Sequence, residues 1–236
     1  MAEAPDPASA ALAGRTVAVL GYGAFGGGAG MVRFLTSVGA SVVVTEVRPR
    51  SAYDDDLLAP LDAPGVIAHF GGNDPSHLDG VDLLVRSPGV PARTPLLVEA
   101  RRRGIPVDME MSMFLRWWPG PVVGVTGTKG KSTTTTLTHT LLAVDRPALK
   151  AGNLKVNAIE ALIPGCWEPG ATAVLELSSF QLEGPGEHGL SPGIAVVTNL
   201  DEDHLNVYAD LEEYWAAKSA IWAFQAEDDW LVLPAG

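Results

Sequence analysis

The strongest constraint on the fold is a regular alternation of short apolar, β-branched runs with longer helix-like stretches. This alternation is typical of βαβ units, in which parallel strands form one sheet and helices cover its faces. The predicted elements of the first half are the strands Thr16–Leu20, Ser41–Glu46, Val66–Phe70, Asp82–Arg86 and Ile105–Asp108 and the helices Met31–Val38 and Pro95–Arg103. The pattern therefore predicts an α/β fold that begins with a Rossmann-like parallel-sheet domain.

A break rich in proline and glycine separates this alternation from a second one. The segment Trp117–Pro121 contains two prolines and a glycine, so it cannot continue a helix. The elements predicted after it are the strands Val122–Thr126, Thr172–Leu177, Ile194–Thr198 and Trp230–Leu233 and the helices Ser132–Leu142 and Leu211–Gln225. We predict a disordered tail over residues 1–13, an N-terminal domain over 14–119 and a P-loop-type central domain over 120–236. A doubly wound domain usually has more βα units, so we expect the central domain to be incomplete.

Composition and charge exclude several classes of protein. The formal net charge of −12 argues against a protein that coats nucleic-acid phosphates, so no nucleic-acid partner is expected. No apolar stretch approaches the roughly 18 residues that a membrane-spanning helix needs, so no membrane partner is expected. The single cysteine, Cys166, cannot form an internal disulfide, which fits a reducing cytoplasm. Small anionic ligands stay possible, because N–H groups at a helix start bind phosphate locally.

The first glycine cluster, Gly21-Tyr-Gly-Ala-Phe-Gly26, directly follows a predicted strand and matches G-x-G-x-x-G. Glu46 ends the next predicted strand, 20 residues after Gly26. This arrangement lays a diphosphate across a helix start and offers a carboxylate to a ribose or base. The pattern also fits an NAD site, or a tight turn that only packs a helix against a strand.

The second cluster, GVTGTKGKST at residues 124–133, lies between a predicted strand and a predicted helix. Such a loop supplies N–H donors for phosphate oxygens, with Lys131 neutralising the β- and γ-phosphates and the Ser132 hydroxyl ligating Mg²⁺. The predicted ATP-phosphate-binding residues are Gly127, Thr128, Lys129, Gly130, Lys131, Ser132 and Thr133. The strict eight-residue P-loop pattern is not met, because Val125 stands where that pattern has its first glycine.

Polar residues also follow two later strands. Glu176, in the run ELSSFQLE, ends a predicted buried strand, where ligands of parallel sheets bind and where a carboxylate suits a hard cation. His204, in TNLDEDHL, follows the next predicted strand and is a candidate contact for a second metal ion or a substrate. Lys218 lies in a predicted amphipathic helix, and its spacing alone predicts only a surface lysine.

Taken in this order, the five segments resemble the Mur ligase family over nearly the whole stretch from Gly14 to Leu233. ELSSFQLE, TNLDEDHL with AAK downstream, and the SPGV tetrapeptide Ser87–Val90 are most similar to the members that add D-glutamate to UDP-N-acetylmuramoyl-L-alanine. The resemblance implies an ATP-dependent amide ligase of cytoplasmic peptidoglycan-precursor synthesis that works through an acyl phosphate. Its partners would be ATP, UDP-N-acetylmuramoyl-L-alanine and D-glutamate, with two Mg²⁺ ions as cofactors.

The resemblance also implies a role for single residues. Lys131, His204 and Lys218 would be catalytic, and Lys218 would be carbamylated, which turns a cation into an anionic oxygen ligand. Ser132 and Glu176 would hold the Mg²⁺ on the ATP phosphates, and His204 with the modified Lys218 would serve the second ion. The implied substrate contacts are Gly23, Ala24 and Phe25 with the diphosphate, Glu46 and Val47 with the uracil, and Ser87, Asn153 and His204 elsewhere on the substrate.

The chain departs from the family pattern at several places. Lys129 replaces a common asparagine, Lys155 a common glycine, Asn206 a common aspartate, and Phe25 is bulkier than the small polar residue often found there. The family's C-terminal domain, which brings amino-acid contacts and part of the ATP site, is missing, so we expect an inactive fragment. The alternatives are a non-catalytic UDP-sugar-binding module, a related Mur ligase or folylpolyglutamate synthetase-like ligase, and an NAD-dependent oxidoreductase, which leaves the second cluster unexplained.

Overall fold

A computed structural model of the chain describes residues 7–154, 156–168, 170–201 and 211–235. The chain divides into two compact units, Met1–Glu110 with Ile159–Cys166 and Met111–Ala158 with Trp167–Gly236. Each unit is built on a five-stranded sheet whose described strand pairs are all parallel. The predicted α/β class is therefore confirmed.

The sheet of the first unit has the strand order β3-β2-β1-β4-β5. Its strands are β1 (Thr16–Leu20), β2 (Ser41–Glu46), β3 (Val66–Phe70), β4 (Leu83–Arg86) and β5 (Val107–Asp108). Strand β1 is central and almost wholly apolar, as expected of a parallel strand covered on both faces. Because β2 and β4 both pair with it in parallel, the residues that follow these three strands emerge at one edge of the sheet.

The helices of the first unit cover the sheet with apolar side chains. They are α1 (Pro7–Leu12), α2 (Gly27–Ser37), α3 (Asp55–Leu58) and α4 (Pro95–Arg102), with 3₁₀ turns at Arg50–Ala52, Ala59–Asp62 and Pro75–Leu78. Leu96, Leu97 and Ala100 of α4 are buried against Leu20 and Leu84 of the sheet. The apolar face of α4 therefore packs on strands β1 and β4 in one cluster of the core.

The predicted disordered tail is wrong for Pro7–Leu12, which form helix α1. Ala8 and Leu12 lie one helical turn apart on the same face, and each is only 2% exposed. Alanine is the best helix former, and burying a leucine contributes about 1.5–3 kcal/mol, which opposes part of the entropy lost on ordering. Residues 1–6 lie outside the described residues.

Helix α2 begins at Gly27, four residues before the predicted start at Met31. Glycines are poor helix formers, so the sequence pattern placed this first turn in a loop. The structure shows why glycine is needed here. The Gly28 N–H donates to the Tyr22 carbonyl oxygen at 3.0 Å, and a Cβ at Gly28 would lie 2.2 Å from that oxygen. The close approach of helix and loop leaves no space for a side chain.

The sheet of the second unit has the strand order β10-β9-β6-β8-β7. Its strands are β6 (Val122–Thr126), β7 (Ala148–Gly152), β8 (Thr172–Glu176), β9 (Ile194–Val197) and β10 (Trp230–Val232). Its helices are α5 (Glu110–Trp117, whose first residue is counted with the first unit), α6 (Lys131–Leu142), α7 (Ser179–His188) and α8 (Leu211–Ser219). A 3₁₀ turn at Ala158–Leu162 belongs, from Ile159 onward, to the first unit. Strand β6 is central and buried along its whole length. The loop that follows it therefore lies between the ends of β8 and β9.

Within the described ranges, no helix has the length and apolar character that crossing a bilayer requires.

Candidate substrate and nucleotide sites

The first glycine loop, residues 21–26, connects β1 to α2 and is held by a carboxylate from the neighbouring strand. One oxygen of Glu46, at the end of β2, accepts hydrogen bonds from the backbone N–H groups of Tyr22 at 2.7 Å and Gly23 at 3.2 Å. The other oxygen accepts from the Arg48 N–H at 2.9 Å. Glu46 is 5% exposed, so this carboxylate points into the protein and braces the loop.

The hydrogen bonds of Glu46 outweigh the effect of its burial on its ionisation. Burial alone would raise the pKa of Glu46. The backbone N–H groups of Arg48, Gly23 and Tyr22 and the nearby Tyr53 hydroxyl together lower it by more than burial raises it, so the pKa of Glu46 lies below its ordinary 4.5. Hydrogen bonds to the charged form of a carboxyl group are known to act in this direction. The first glycine loop therefore contains a fixed negative charge at neutral pH.

Aromatic rings surround this carboxylate. The Tyr22 and Tyr53 rings meet edge to face with centroids 5.6 Å apart, and Phe70 lies 5.7 Å from Tyr53. The Tyr22 hydroxyl donates to the Leu57 carbonyl, and burial raises the pKa of Tyr22 to about 12. Burial and the adjacent Glu46 also raise the pKa of Tyr53 to about 12. Both phenols therefore stay neutral, and they provide a rigid apolar wall behind Glu46.

The other predicted substrate contacts of this unit meet at the same sheet edge. The Ser87 hydroxyl, just after β4, donates to the Gly21 carbonyl, so Ser87 braces the loop from the side opposite Glu46. Phe25 is 94% exposed and Val47 is 61% exposed, whereas Ala24 is half-buried. The structure thus brings Gly23, Glu46 and Ser87 together around the loop and leaves the side chains of Phe25 and Val47 open to a ligand.

The second glycine loop, residues 127–130, connects β6 to α6, and two lysines converge on it. The Lys131 ammonium donates to the carbonyl oxygens of Gly127 at 2.9 Å and Thr128 at 3.1 Å. The Lys218 ammonium donates to the same Gly127 oxygen at 3.0 Å. The side-chain nitrogens of both lysines therefore lie within hydrogen-bond distance of one loop oxygen.

Lys218 is buried rather than on the surface. It is 2% exposed, its ammonium lies 4.8 Å from the centre of the Tyr214 ring, and it also reaches the Thr126 hydroxyl at 3.4 Å. Spacing along the helix predicted a surface lysine, and only the family resemblance pointed to this position. Lys218 therefore lies where it can act on groups bound at the second glycine loop.

The start of α6 offers further groups to a ligand. Ser132 and Thr133 are exposed, as are Lys129 and Gly130. The first intrahelical bond runs from the Thr134 N–H to the Gly130 carbonyl, so the N–H groups of Lys131 to Thr133 have no partner inside the helix. Such N–H groups, at the positive end of a helix dipole, favour anions.

The Thr128 side chain is buried, whereas Lys129 and Gly130 are exposed. The Thr128 hydroxyl accepts a hydrogen bond from the Asp201 N–H at 3.0 Å and lies 3.1 Å from the Asp201 carbonyl. Its backbone N–H donates to Asn199. The predicted phosphate-binding set therefore divides into a braced part, at Thr128, and an open part, at the start of α6.

Asn199, which had no predicted role, holds the second glycine loop from the end of β9. Its side-chain oxygen accepts from the N–H groups of Thr128 at 3.1 Å and Lys129 at 2.8 Å, and its side-chain nitrogen donates to the Lys129 carbonyl at 3.1 Å. The Thr198 hydroxyl donates to the same carbonyl. The position directly after a strand adjacent to β6 was the signal in the sequence that could have identified this pair.

Glu176 ends β8 on the other side of the loop and fits a cation ligand. One carboxylate oxygen accepts from the Asn153 side chain at 3.1 Å, and the Asn153 N–H donates to the Glu176 carbonyl at 2.7 Å. The other carboxylate oxygen is buried and has no hydrogen-bond partner among the described residues. A buried carboxylate oxygen without a donor is costly, and Mg²⁺ prefers such oxygens. One oxygen of Glu176 is therefore available to a cation, and its metal role stays a prediction.

His204 lies outside the described residues, so its predicted metal and substrate roles stay predictions. In the part of the chain that the structure describes, no three or more His, Cys, Asp or Glu side chains are grouped to hold a metal ion. Among the described residues, the Ser132 hydroxyl is the predicted second ligand of a cation at Glu176, and phosphate oxygens or water could supply others. Mg²⁺ in nucleotide sites is commonly bound in this way, by one or two carboxylates together with phosphate oxygens.

Comparison with protein families decides what these two units are. Residues 125–236 match the Mur ligase middle domain, and residues 15–108 match the Mur ligase MurD-like N-terminal domain. The chain belongs to the Mur ligase family. The two matched regions contain the two glycine loops, each with the strand ends that brace it.

The relatives of this Mur ligase chain are longer than the chain itself. It is 44% identical over 232 residues to the UDP-N-acetylmuramoylalanine--D-glutamate ligase of Roseiflexus sp. (strain RS-1). The matched region covers 95% of the chain and 48% of that relative. It is also 44% identical over 219 residues to the enzyme of that name from Anaeromyxobacter dehalogenans (strain 2CP-C), covering 92% of the chain and 46% of the relative. The chain thus spans about half the length of the curated relatives that it matches.

Solved Mur ligase structures share the fold. The Neisseria meningitides UDP-N-acetylmuramate:L-alanyl-gamma-D-glutamyl-meso-diaminopimelate ligase has a TM-score of 0.63 at 18% identity, covering 94% of this chain and 71% of that one. The Thermotoga maritima UDP-N-acetylmuramate-alanine ligase MurC has a TM-score of 0.54 at 24% identity, covering 92% and 48%. These two likenesses support the α/β architecture of the Mur ligase chain.

Proposed function

We propose that this chain is the substrate-binding and ATP-binding part of a ligase that joins D-glutamate to UDP-N-acetylmuramoyl-L-alanine. The observation that carries the proposal is the convergence of Lys131 and Lys218 on the second glycine loop, with Glu176 at the end of the adjacent strand β8. These groups lie in a chain whose relatives, at 44% identity over nearly its whole length, carry the name of that enzyme. The rest of the relatives' length would supply the amino-acid site.

The residues of the second loop suit phosphoryl transfer from ATP to a carboxylate. Such transfer depends mainly on positioning and on neutralising the charge that develops on the phosphoryl oxygens. The Lys131 ammonium now donates to two loop carbonyls and would turn to the β- and γ-phosphates, while the N–H groups at the start of α6 hold their oxygens. The substrate carboxylate would become an acyl phosphate, which the D-glutamate amine attacks to release phosphate and form the amide.

Ser132 and Glu176 would hold a Mg²⁺ ion on the ATP phosphates, and His204 with Lys218 would serve a second ion. The buried, unpartnered oxygen of Glu176 supports the first assignment. Bound Mg²⁺ would supply charge neutralisation on the transferring phosphoryl group. The burial of Lys218 beside the loop supports a role there, because a carbamylated lysine would offer anionic oxygens at this place.

The first loop would bind the UDP part of the substrate. The exposed side chains of Phe25 and Val47 lie on the loop and just after Glu46, where a base and a diphosphate can contact them. Glu46 already accepts three backbone hydrogen bonds, so its contact with the uracil would use its remaining lone pairs. Ser87 and Asn153 complete the proposed set of substrate contacts.

A chimera tests the proposal. The chain would be joined to the C-terminal half of the Roseiflexus relative, which supplies the amino-acid site, and phosphate release would be measured with MgATP and D-glutamate. We expect release with UDP-N-acetylmuramoyl-L-alanine and at least tenfold less with UDP-N-acetylmuramate, which lacks the alanine. The matched control is the intact Roseiflexus enzyme under the same conditions.

Two outcomes would overturn the proposal. One is a chimera that prefers UDP-N-acetylmuramate, which would move the chain to a different Mur ligase. The other is a folded chimera that binds the UDP-sugar peptide but does not bind MgATP, which would make the chain a UDP-sugar-binding module.

A further inference from the structure

The part of the TNLDEDHL motif with no assigned role is its first pair, Thr198 and Asn199. Strand β9 pairs in parallel with β6 up to Thr126 and Val197, and the Thr198 N–H extends the pairing to the Thr126 carbonyl at 2.9 Å. The residues that follow β6 and β9 are therefore neighbours at the same edge of the sheet. One strand continues into the second glycine loop, and the other continues into Asn199.

The side-chain amide of Asn199 hydrogen-bonds to both N–H and carbonyl groups of the loop backbone. An amide can accept two hydrogen bonds at its oxygen and donate through its nitrogen, and Asn199 does both. Its oxygen accepts from Thr128 and Lys129, and its nitrogen donates to the Lys129 carbonyl. The two backbone N–H donors also fix which side-chain atom is the oxygen, because a nitrogen there would place donor against donor.

The Lys129 N–H is the loop group that depends on this side chain. The Thr128 N–H is shared with the main-chain oxygen of Asn199 at 3.1 Å, so it would keep a partner without the side chain. The Lys129 carbonyl would likewise keep the Thr198 hydroxyl. Removing the amide therefore releases one end of the loop turn without removing every contact between the two strands.

The packing between the strand end and the loop is close. Gly127 has a φ of 146°, and a Cβ there would lie 2.0 Å from the Thr198 hydroxyl oxygen. The loop therefore has little space to shift toward β9. The bond from Asn199 to the Lys129 N–H restrains movement of the loop away from β9.

We propose that Asn199 is a positioning residue for nucleotide binding, which holds the turn at Thr128–Lys129 so that the start of α6 and Lys131 meet the phosphates. This rests on the proposed function, which assigns ATP to this loop. The neutral amide satisfies the N–H groups without placing a negative charge beside a triphosphate. A carboxylate would satisfy the same donors, but it would repel the ligand.

Calorimetric titration of the chain with MgATP, MgADP and AMP tests the proposal. We expect Asn199→Ala to weaken MgATP and MgADP binding by about tenfold, the effect of one hydrogen bond and lost pre-organisation. AMP binding should change by less than twofold, because AMP lacks the phosphates that reach the loop. The matched control is Gln225→Ala, another side-chain amide of this unit that donates to two backbone carbonyls, Pro192 and Trp230.

Asn199→Asp separates positioning from folding, because it keeps the acceptor for the Lys129 N–H. We expect it to fold, with a somewhat lower melting temperature because a carboxylate oxygen then faces the Lys129 carbonyl, and to bind MgATP at least as weakly as Asn199→Ala. A folded Asn199→Ala or Asn199→Asp chain that binds MgATP within twofold of the unsubstituted chain would overturn the proposal, as would an equal loss of AMP binding. If the unsubstituted chain bound no MgATP, the proposed function would fail first.

Discussion

The two glycine loops have the same architecture but opposite electrostatics. Each follows the central strand of a parallel sheet and leads into a helix after a glycine in the left-handed conformation, Gly26 with φ 87° and Gly130 with φ 78°. Each has its backbone N–H groups bound by a side chain from the end of an adjacent strand. In the first loop that side chain is the carboxylate of Glu46, and in the second it is the neutral amide of Asn199.

This difference bears directly on which ligand each loop can take. The carboxylate of Glu46 places a negative charge beside the first loop, where it accepts hydrogen bonds from the Tyr22 and Gly23 N–H groups. The second loop has the Lys131 ammonium on two of its carbonyl oxygens and is held by a neutral amide, so it suits the high charge of a triphosphate. The glycine spacing is similar in both loops, and the residue contributed by the neighbouring strand distinguishes them.

The largest effect that would test this contrast comes from Lys131→Met. We expect MgATP binding to the chain to weaken by roughly 10- to 150-fold, the loss of one charge-assisted hydrogen bond of about 1.5–3 kcal/mol. Binding of UDP-N-acetylmuramoyl-L-alanine should stay within twofold. Calorimetry measures both, with Lys150→Met on β7 as the control. Unchanged MgATP affinity would remove the lysine from the second loop's function.

Glu176→Gln should have a somewhat smaller effect that depends on the cation. The amide keeps a side-chain oxygen but loses the charge that attracts Mg²⁺, so the gain in ATP affinity on adding Mg²⁺ should fall by about tenfold. Binding of ATP measured in EDTA should hardly change. The comparison variant is Glu187→Gln, on the exposed face of α7. An equal loss with and without Mg²⁺ would indicate that Glu176 only supports the local structure.

Glu46→Gln tests the first loop through its dependence on pH. The pKa of Glu46 is lowered in the folded chain, so its contribution to stability is complete above its ordinary 4.5 and is lost as the pH falls below that value. Urea unfolding at pH 7 should show Glu46→Gln destabilised by about 1–3 kcal/mol, because an amide N–H₂ then faces backbone N–H donors. The difference from the unsubstituted chain should shrink at pH 4.

The control for this pH experiment is Asp56→Asn, an exposed carboxylate of the same unit. A stability difference for Glu46→Gln that is the same at both pH values would show that the charge of Glu46 is not what braces the loop.

The smallest effects come from the hydroxyl groups that brace each loop. Ser87 donates to the Gly21 carbonyl in the first unit, and Thr198 donates to the Lys129 carbonyl in the second. Ser87→Ala and Thr198→Val should each lower the free energy of unfolding by about 1 kcal/mol, the usual net value of one hydrogen bond. Denaturant titration of the matched pair checks this. A loss several times larger in one of them would mean that its loop depends on a single bond.

The strands of both sheets could be predicted where apolar, β-branched residues dominate, as in β1 and β6, whose bounds agree with the sequence pattern. Strand β7 was missed because ALKAG has a lysine at its centre and no β-branched residue, which suits an edge strand. Helix α7 was missed because Gly184, Pro185 and Gly186 read as a break, although Ser178 and Gln181 form a capping box at its start.

The candidate site could be predicted in part, because strand ends of parallel sheets meet at one edge. That rule brought Glu46 to the first loop and Glu176 to the second. It could not show that Glu46 turns inward to the loop backbone, since the direction of a side chain depends on tertiary contacts. The role of Asn199 was missed for a related reason, because its partners are backbone groups about 70 residues away. A functional role for Lys218 was implied only by the family resemblance, and its burial was not predicted.

The most direct test of the whole account is a pair of calorimetric titrations of the unsubstituted chain, one with MgATP and one with UDP-N-acetylmuramoyl-L-alanine. We expect one molecule of each to bind, with Lys131→Met weakening only the first. A chain that binds NADH at the first loop, and neither MgATP nor the UDP-sugar peptide, would contradict the assignment of both loops.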